Sequence, residues 1–330
     1  MGASERGGDL DRATTHHGVN RTDLIDLSTG INPCAYPVSN LASSLSSDLL
    51  RDLPDQQLID TAAQSAKNTY QANFSGVPLA GAQQAIQLFP SIIKAGSKKA
   101  CILHPSYNEY EAQLHKAGWQ ITYCHHLDEM TGADCAIIAN PNNPDGRQFL
   151  PTELLELAHS VGTLIIDESF CDLYPHLSVL PLATEQHQNI IVLRSLGKFY
   201  GLAGLRLGFV FSHSKTLNQF ASAAGKWAVS APALAIGADA LQDENWRQQT
   251  MIKLRHDAIR LDRIAHQNEL HLIGGTDLFR LYQCDNAKNI QDKLAGHKIW
   301  SRIFSYSENW IRLGIPPDTG WELLERALQS

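Results

Sequence analysis

The amino-acid sequence predicts an α/β protein with a layered large domain, followed by a smaller α+β domain. Short apolar runs alternate with helical segments through most of its 330 residues. The runs are continuously apolar, a pattern typical of parallel strands in a sheet that is covered on both faces. From about Pro232 onward the pattern changes to a long helical stretch. The predicted organisation is an N-terminal arm (1–35), a large domain (36–235) and a small C-terminal domain (236–330).

The individual elements follow from the local residue pattern. The first 35 residues are polar and rich in turn residues, which favours an irregular arm. Strands are expected where apolar residues run together, at 100–103, 121–123, 135–139, 163–166, 190–193 and 209–211. Helices are expected between them, at 56–70, 82–94, 110–117 and 151–161. The small domain is expected to contain a helix over 233–268, strands over 277–282 and 310–313, and a helix over 322–328.

The charge balance restricts the class of protein. Lysine and arginine total 27 against 34 aspartate and glutamate residues, a net charge of −7 with neutral histidine. A nucleic-acid-binding domain would carry a basic face, so this balance argues against nucleic acid as a partner. No apolar run reaches the ~20 residues that cross a membrane as a helix. Charged residues make up only 18% of the chain, so much of its surface is expected to face something other than water.

The cysteines and histidines indicate neither disulfides nor a metal site. The six cysteines include no C-x-x-C pair, and several lie inside apolar runs, which fits thiols in a reducing cytosol. Residues 1–20 lack the apolar core of a secretory signal, so the expected location is the cytoplasm. Histidines such as His125 and His126 show no metal-ligand spacing. No metal is therefore expected.

The segment 195–208 carries the strongest chemical signal. Lys198 follows a buried strand, with Ser195 three residues before it, Arg206 eight residues after it, and four glycines in the same segment. The spacing matches neither a P-loop nor a dinucleotide-binding motif. A lysine in a desolvated pocket beside another cation can form a Schiff base with an aldehyde. The hydroxyl and the guanidinium would bind a phosphate anion, and an aldehyde that carries a phosphate is pyridoxal 5′-phosphate.

Further side chains fit that cofactor. Asp167 ends an apolar strand, where its charge needs a partner such as a pyridinium nitrogen. Asn143 follows another strand and could donate to the 3′ oxygen of the ring. Ala82 and Gln83 begin a helix whose free amides suit a phosphate, and Tyr107 could cover the ring face. Each residue alone has an ordinary explanation as a cap, turn or core residue. Together, in this order, they favour the cofactor.

At these motifs the sequence resembles the fold-type I pyridoxal-phosphate enzymes. The resemblance is to the branch that contains histidinol-phosphate aminotransferases and threonine-phosphate decarboxylases. The lysine segment is typical of the superfamily, whereas H-G-V-N at 17–20, D-L-S-T-G-I-N-P at 26–33 and L-P-D at 53–55 resemble the decarboxylases. The resemblance implies a three-layer large domain with a mainly parallel sheet. It also implies a homodimer, which would explain the low charged fraction.

The resemblance assigns roles to residues along the chain. It implies that Lys198 holds the cofactor aldehyde and that Asp167 pairs with the ring nitrogen. The phosphate would be bound by Ala82, Gln83, Ser195 and Arg206. The ring would be contacted by Asn143 at its 3′ oxygen and by Tyr107 on its face. Arg312, in W-I-R-L-G, matches the arginine that binds the substrate carboxylate, and Arg302 matches a second substrate-binding arginine. His17 and Asn32, in the two arm phrases, are expected to help fix the substrate's carboxylate and phosphate.

Two departures from the family pattern bear on the reaction. Aminotransferases of this branch carry a tyrosine where this sequence has Phe170, and another where it has Leu53. Their replacement favours a small phosphorylated amino acid as substrate, with decarboxylation of L-threonine O-3-phosphate to (R)-1-aminopropan-2-ol phosphate and CO₂ in cobalamin biosynthesis. The alternative is a class I/II aminotransferase acting on histidinol phosphate or a similar amino acid. A non-catalytic ligand sensor is disfavoured, because the lysine, aspartate and arginines are all present.

Overall fold

A computed structural model describes residues 14, 20–38, 47–93 and 95–329. The chain divides into two compact units. The larger unit comprises Ala35–Asn143 and Arg147–Arg247, and the smaller one comprises Met1–Cys34, Pro144–Gly146 and Gln248–Ser330. The smaller unit therefore combines segments from both ends of the sequence. The boundaries expected from the sequence, 1–35, 36–235 and 236–330, stay a prediction of the domain organisation.

The strands of both units are short and are numbered here along the chain. They are β1 (Ile25–Asp26), β2 (Ser75–Leu79), β3 (Lys99–Leu103), β4 (Gln120–Cys124), β5 (Cys135–Ala139), β6 (Thr163–Asp167), β7 (Ile190–Ser195), β8 (Gly208–Ser212), β9 (His271–Thr276), β10 (Phe279–Gln283), β11 (Ile299–Trp300), β12 (Arg302–Phe304) and β13 (Ser307–Gly314).

The helices lie between these strands or after them. They are α1 (Ser47–Arg51), α2 (Gln56–Thr69), α3 (Ala82–Ile92), α4 (Asn108–Lys116), α5 (Pro151–Ala158), α6 (Ser214–Ala224), α7 (Ala231–Gln242), α8 (Glu244–His266), α9 (Ala287–Gly296) and α10 (Trp321–Gln329). Side-chain caps fix several of the helix starts. Asp55 accepts a hydrogen bond from the Leu58 amide at the start of α2, and Glu153 accepts one from the Leu150 amide at the start of α5.

In the part of the chain that the structure describes, the larger unit contains a seven-stranded sheet of order β2-β8-β7-β6-β5-β3-β4. The neighbouring strands β4, β3, β5, β6 and β7 all pair in parallel. Strand β8 runs antiparallel to both β7 and β2. Every residue of β5 and β8 is buried, which agrees with the continuously apolar runs of the sequence. The predicted α/β fold with a mainly parallel sheet is confirmed. Parallel strands place their carboxyl ends along one edge, where ligands bind in such folds.

The smaller unit is built around an antiparallel sheet of order β12-β13-β10-β9, with a separate parallel pair of β1 and β11. One prediction for the C-terminal part of the chain was wrong, because the helix expected over 233–268 is two helices, α7 and α8. The break lies at Asp243, whose backbone leaves helical geometry (φ −80°, ψ 79°). Its carboxylate accepts a hydrogen bond of 2.9 Å from the Trp246 amide, so a residue inside an apparently continuous helical pattern caps a new helix.

Candidate active site

The predicted cofactor residues of the larger unit gather at the carboxyl edge of its sheet. Asp167 is the last residue of β6 and pairs in register with Ala139 at the end of β5 and with Leu193 near the end of β7. Asn143 follows β5 by four residues, and Lys198 follows Ser195, the end of β7, by three. The three adjoining strands therefore deliver these side chains to one edge of the sheet.

Asp167 is a buried carboxylate with two hydrogen-bond donors. It is 6% exposed. Its Oδ2 accepts a hydrogen bond of 2.6 Å from the Tyr110 hydroxyl, and its Oδ1 accepts one of 2.9 Å from the Ser169 amide. Both donors are formally neutral, and a buried carboxylate is costly without a cation. The environment of Asp167 is thus suited to a cationic ligand group such as a protonated ring nitrogen.

A second cluster forms an anion site at the start of α3. Gly81 precedes the helix with φ +78°, and the helix has no side-chain cap at its N-terminus. The Arg206 guanidinium donates to the Ala80 carbonyl at 3.3 Å. A Cβ on Gly81 would lie 2.7 Å from that guanidinium, and a Cβ on Gly208 would lie 2.6 Å from the Ala82 amide nitrogen. Uncapped amides beside a guanidinium bind phosphate well.

Ser195 adjoins this candidate anion site through the strand pairing, and Lys198 follows it by three residues. Ser195 pairs with Gly208, which in turn pairs with Leu79 just before α3. The Ser195 Oγ accepts a hydrogen bond of 3.2 Å from the Gly197 amide, so its hydroxyl proton is directed elsewhere. Lys198 is half-buried, with its Nζ 5.3 Å from the centroid of the Phe170 ring. The lysine therefore lies beside the aromatic ring of Phe170.

Gln83 and Tyr107 are joined across the same region. The Tyr107 hydroxyl donates to Gln83 Oε1 at 3.2 Å, and Gln83 Nε2 donates to Glu109 Oε2 at 2.8 Å. Tyr107 keeps 38% of its surface exposed. Its ring packs edge-to-face on Tyr110, with centroids 5.6 Å apart and an interplanar angle of 89°. This tether holds an accessible aromatic face between the end of β3 and the start of α3.

Asn143 lies in the loop after β5 together with two fully buried asparagines, Asn140 and Asn142. Asn140 exchanges hydrogen bonds with the backbone of Phe149, and Asn142 donates to the Pro105 carbonyl at 2.8 Å. Asn143 itself is half-buried. The two buried residues shape the loop through these contacts, and Asn143 is the partly exposed asparagine of the three.

The predicted substrate residues of the smaller unit form a separate group. Arg312 of β13 is 4% exposed and lies directly opposite Arg302 of β12 in the antiparallel pairing. Its Nη2 donates to the carbonyl of Ser28. Burial and the neighbouring Arg302 both lower the pKa of Arg312, because each disfavours its charged form. Two guanidinium groups in this position are suited to an anion.

The arm phrase around Asp26 is folded next to these arginines. β1 pairs with β11, and the Gly314 amide at the end of β13 donates to the Leu27 carbonyl at 2.7 Å. Asp26 Oδ1 accepts hydrogen bonds from the amide and hydroxyl of Ser28, at 2.7 and 2.6 Å. Asn32 is 2% exposed, and its Oδ1 accepts a hydrogen bond from the Cys34 amide. His17, the remaining predicted residue, lies outside the described residues.

Sequence reasoning missed a buried charged pair beneath the cofactor residues. Glu168 and Arg194 directly adjoin Asp167 and Ser195, and they are 0 and 2% exposed. Arg194 Nε lies 3.5 Å from Glu168 Oε2, and Arg194 Nη1 donates to the Glu168 carbonyl at 3.2 Å. The sequence marks this pair only by the charged residue that follows Asp167 and the one that precedes Ser195. Tyr110 was also missed as a site residue, because it was assigned only to a helix.

The residues of the larger unit fit pyridoxal 5′-phosphate. The buried Asp167 carboxylate suits the protonated ring nitrogen, and the uncapped start of α3 beside Arg206 suits the phosphate. Lys198 offers an amine for the aldehyde. Within the described ranges, no three histidine, cysteine, aspartate or glutamate side chains are grouped so as to hold a metal ion. None of the helices described is both long and apolar enough to span a bilayer.

Comparison with known proteins shows relatives that match nearly the whole chain. The chain is 39% identical to a threonine-phosphate decarboxylase of Sinorhizobium sp, over 94% of this chain and 93% of that one. It is 32% identical to the threonine-phosphate decarboxylase of Pseudomonas aeruginosa, over 98% and 97% of the two chains.

Solved structures share the fold. A histidinol-phosphate aminotransferase from Sinorhizobium meliloti in complex with pyridoxal-5′-phosphate superposes with a TM-score of 0.84 at 21% identity, over 98% of this chain and 94% of that one. L-threonine-O-3-phosphate decarboxylase from Porphyromonas gingivalis superposes with a TM-score of 0.78 at 18% identity, over 92% and 98%. The model of the family described as aminotransferase class I and II matches residues 55–330. The chain therefore belongs to the aminotransferase class I and II family, and its cofactor is pyridoxal 5′-phosphate.

Proposed function

We propose that this protein is a pyridoxal-phosphate-dependent decarboxylase. Its substrate would be L-threonine O-3-phosphate, and its products (R)-1-aminopropan-2-ol phosphate and CO₂. The observation that carries the proposal is the similarity to threonine-phosphate decarboxylases at 39 and 32% identity over nearly the whole length of each chain. The match includes the arm and the C-terminal strands as well as the cofactor residues, and these are the segments expected to bind the substrate.

The cofactor residues have separate tasks in this proposal. When bound, pyridoxal 5′-phosphate supplies an electron-accepting ring for the electrons released as a bond at the substrate Cα breaks. Asp167 holds the proton of the ring nitrogen, and Asn143 donates to the 3′ oxygen. Tyr107 covers the ring face. The amides of Ala82 and Gln83, with Ser195 and Arg206, bind the phosphate in the anion site at the start of α3.

The choice of the bond that breaks depends on how the protein orients the substrate. A decarboxylase would have to fix the substrate carboxylate in one orientation, and that orientation is set by the side chains that bind the substrate's anionic groups. Arg312 and Arg302 bind that carboxylate, and the arm residues His17 and Asn32 help to hold the substrate's two anionic groups. Lys198 Nζ then delivers the proton that replaces CO₂ on Cα.

Phe170 supports decarboxylation over amino transfer. Its buried ring lies close to Lys198 Nζ, at 5.3 Å from centroid to nitrogen, and it offers no hydroxyl to the cofactor. Amino transfer on histidinol phosphate remains the competing reaction, because it uses the same cofactor residues. Amino transfer would instead require the same side chains to present the Cα–H bond of the substrate to a base such as Lys198.

The proposal extends to the organisation and setting of the protein. We propose an arm (1–35), a cofactor-binding domain (36–235) and a small domain (236–330), assembled as a homodimer in the cytoplasm and serving cobalamin biosynthesis. Two large apolar side chains near α1 support the homodimer, because Leu50 is 74% and Leu53 64% exposed. Neighbouring exposed leucines are costly in water and are typical of a covered surface.

A product assay separates the two reactions. The purified protein is incubated with cofactor and L-threonine O-3-phosphate, without any keto acid, and CO₂ and phosphorylated products are measured. Steady release of CO₂ is expected under these conditions. The parallel incubation contains histidinol phosphate and 2-oxoglutarate. Turnover only in that second mixture, with formation of glutamate, would overturn the proposal in favour of amino transfer.

A further inference from the structure

Tyr110 is a buried residue that neither the family match nor the proposed roles account for. It lies in α4 and is 1% exposed. Its hydroxyl is 2.6 Å from Asp167 Oδ2. Burial and the neighbouring carboxylate raise the pKa of Tyr110 well above its ordinary value, so the hydroxyl keeps its proton. Tyr110 is therefore the donor and Asp167 the acceptor in this bond.

The bond completes a two-sided support for the Asp167 carboxylate. Tyr110 donates to Oδ2, and the Ser169 amide donates to Oδ1 at 2.9 Å. The two donors come from different elements, one from α4 and one from the turn after β6, so together they fix the plane of the carboxylate. Hydrogen bonds from O–H and N–H groups also stabilise negative charge on the accepting oxygens.

Tyr110 also contacts the residue expected on the ring face. Its ring packs edge-to-face against Tyr107, and such aromatic pairs add stability beyond the area they bury. One buried side chain thus supports two groups that would meet the cofactor ring at different places. Asp167 would meet its nitrogen, and Tyr107 would meet its face.

We propose that Tyr110 is a positioning residue for the cofactor ring, and that its hydroxyl aligns the Asp167 carboxylate with the ring nitrogen and strengthens that contact. The inference rests on the proposed assignment of Asp167 to the ring nitrogen. It does not depend on which reaction the protein catalyses. A residue that acts only by filling space would support the bound cofactor as a whole, whereas the Tyr110 hydroxyl is expected to act on the nitrogen alone.

The test uses two cofactors and two tyrosine variants. The full-length apoprotein is titrated with pyridoxal 5′-phosphate and with 1-deazapyridoxal 5′-phosphate, which has carbon in place of the ring nitrogen. Tyr110→Phe removes only the hydroxyl. Tyr70→Phe is the matched control, because Tyr70 is also a buried tyrosine of the larger unit, with Asp172, Arg194 and Arg247 as its charged neighbours. Thermal unfolding of both variants checks that each is folded.

The expected result is specific to the ring nitrogen. Tyr110→Phe should weaken binding of pyridoxal 5′-phosphate by about tenfold, the range of a hydrogen bond to a charged group, and should leave binding of the deaza cofactor unchanged. Tyr70→Phe should keep the wild-type affinity for both. Equal losses for the two cofactors in Tyr110→Phe would reduce Tyr110 to a structural role, and no loss for either would overturn the proposal.

A second measurement tests whether Tyr110 acts through Asp167. In an Asp167→Asn background, adding Tyr110→Phe should cause no further loss of pyridoxal 5′-phosphate affinity, because its target is gone. An additive loss would overturn the proposal. If the wild-type protein binds the two cofactors equally well, the assignment of Asp167 is wrong and the role of Tyr110 falls with it. The decarboxylase proposal would survive that result, since it rests on product analysis.

Discussion

Arg302 and Arg312 lie directly opposite each other in the antiparallel pairing of β12 and β13. Like charges at opposed positions destabilise a sheet, and Arg312 is also buried and donates to the Ser28 carbonyl. The lowered pKa of Arg312 has the same origin, since burial and Arg302 disfavour its charge. An arrangement with this cost is explained by an anion that the two groups share, and the carboxylate of the proposed substrate is such an anion.

Replacing Arg312 by lysine should therefore weaken substrate binding. Lysine keeps the charge but lacks the planar fork that binds both oxygens of a carboxylate, so KM for L-threonine O-3-phosphate should rise by about tenfold or more. Arg280→Lys is the control. Arg280 lies on the adjacent strand β10 and makes a similar forked pair with Asp262, at 2.9 and 2.7 Å. Steady-state kinetics that change KM equally in both variants would contradict the assignment.

Removing the amine of Lys198 should stop turnover without unfolding the chain. Proton transfer by a positioned group contributes ~10²–10⁴ to a rate, so Lys198→Ala should lose at least that factor in kcat. It should also lose the visible absorbance of a lysine-linked cofactor. Lys226→Ala, on an exposed lysine of the same unit, should keep both properties. A Lys198→Ala protein with wild-type kcat would show that another group transfers the proton to the substrate Cα.

Gly81 offers a test of the anion site with a closely matched control. Both Gly81 and Gly118 have positive φ, +78° and +75°, so alanine strains the backbone similarly at either position, by ~1–3 kcal/mol. A Cβ at Gly81 would meet the Arg206 guanidinium at 2.7 Å, whereas at Gly118 no heavy atom of the described residues, apart from its chain neighbours, lies within 4 Å. Gly81→Ala should lower cofactor affinity by about tenfold or more, and Gly118→Ala should lower only thermal stability. Equal cofactor affinities in the two variants would contradict the proposed phosphate site.

The buried carboxylates next to the site predict a pH dependence of stability. Burial raises the pKa values of Glu168 and Asp172, while Arg194 between them stays charged because its pKa is raised by both carboxylates. The folded chain then retains protons at pH values where the unfolded chain, with its carboxylates near pKa 4, has released them. The contribution of these two carboxyl groups to the stability of the fold is therefore largest below about pH 4. It is lost as the pH rises through their raised pKa values in the folded chain.

Urea unfolding as a function of pH tests this directly. Between pH 7 and pH 5 the wild-type free energy of unfolding should rise relative to that of Glu168→Gln, because glutamine cannot take up the proton. Glu129 and Asp134 have lowered pKa values, so their contribution is lost only at lower pH, outside this window. Parallel curves for the two proteins from pH 7 to pH 5 would contradict the raised pKa of Glu168.

Much of the large sheet was predictable because its signal is local. Runs such as 135–139 and 190–193 are apolar without alternation, and helices such as α5 carry their start signals within a few residues. Lys198, Asp167 and Ser195 could be proposed as site residues for a related reason, since each lies at or just after the end of an apolar strand. In these cases the chain neighbours of a residue are enough to define its environment.

The contacts that could not be predicted depend on residues far apart in sequence. Tyr110 reaches Asp167 only because α4 packs near the end of β6, and helical periodicity contains no information about which buried hydroxyl meets a carboxylate. The opposition of Arg302 and Arg312 depends on the register of a short hairpin. The break at Asp243 was missed because a single capping carboxylate outweighs the helical pattern on both sides of it.

The central claim, that this site removes the substrate carboxylate and replaces it with a proton, is tested most directly by a labelled reaction in D₂O. The protein is supplied with cofactor and carboxyl-¹³C-labelled L-threonine O-3-phosphate, without a keto acid, and gas and solution products are analysed by mass spectrometry and NMR. The account predicts one ¹³CO₂ for each molecule of 1-aminopropan-2-ol phosphate, with one deuterium at the carbon that carried the carboxylate. Retention of the ¹³C label in solution, with loss of the amino group, would contradict it.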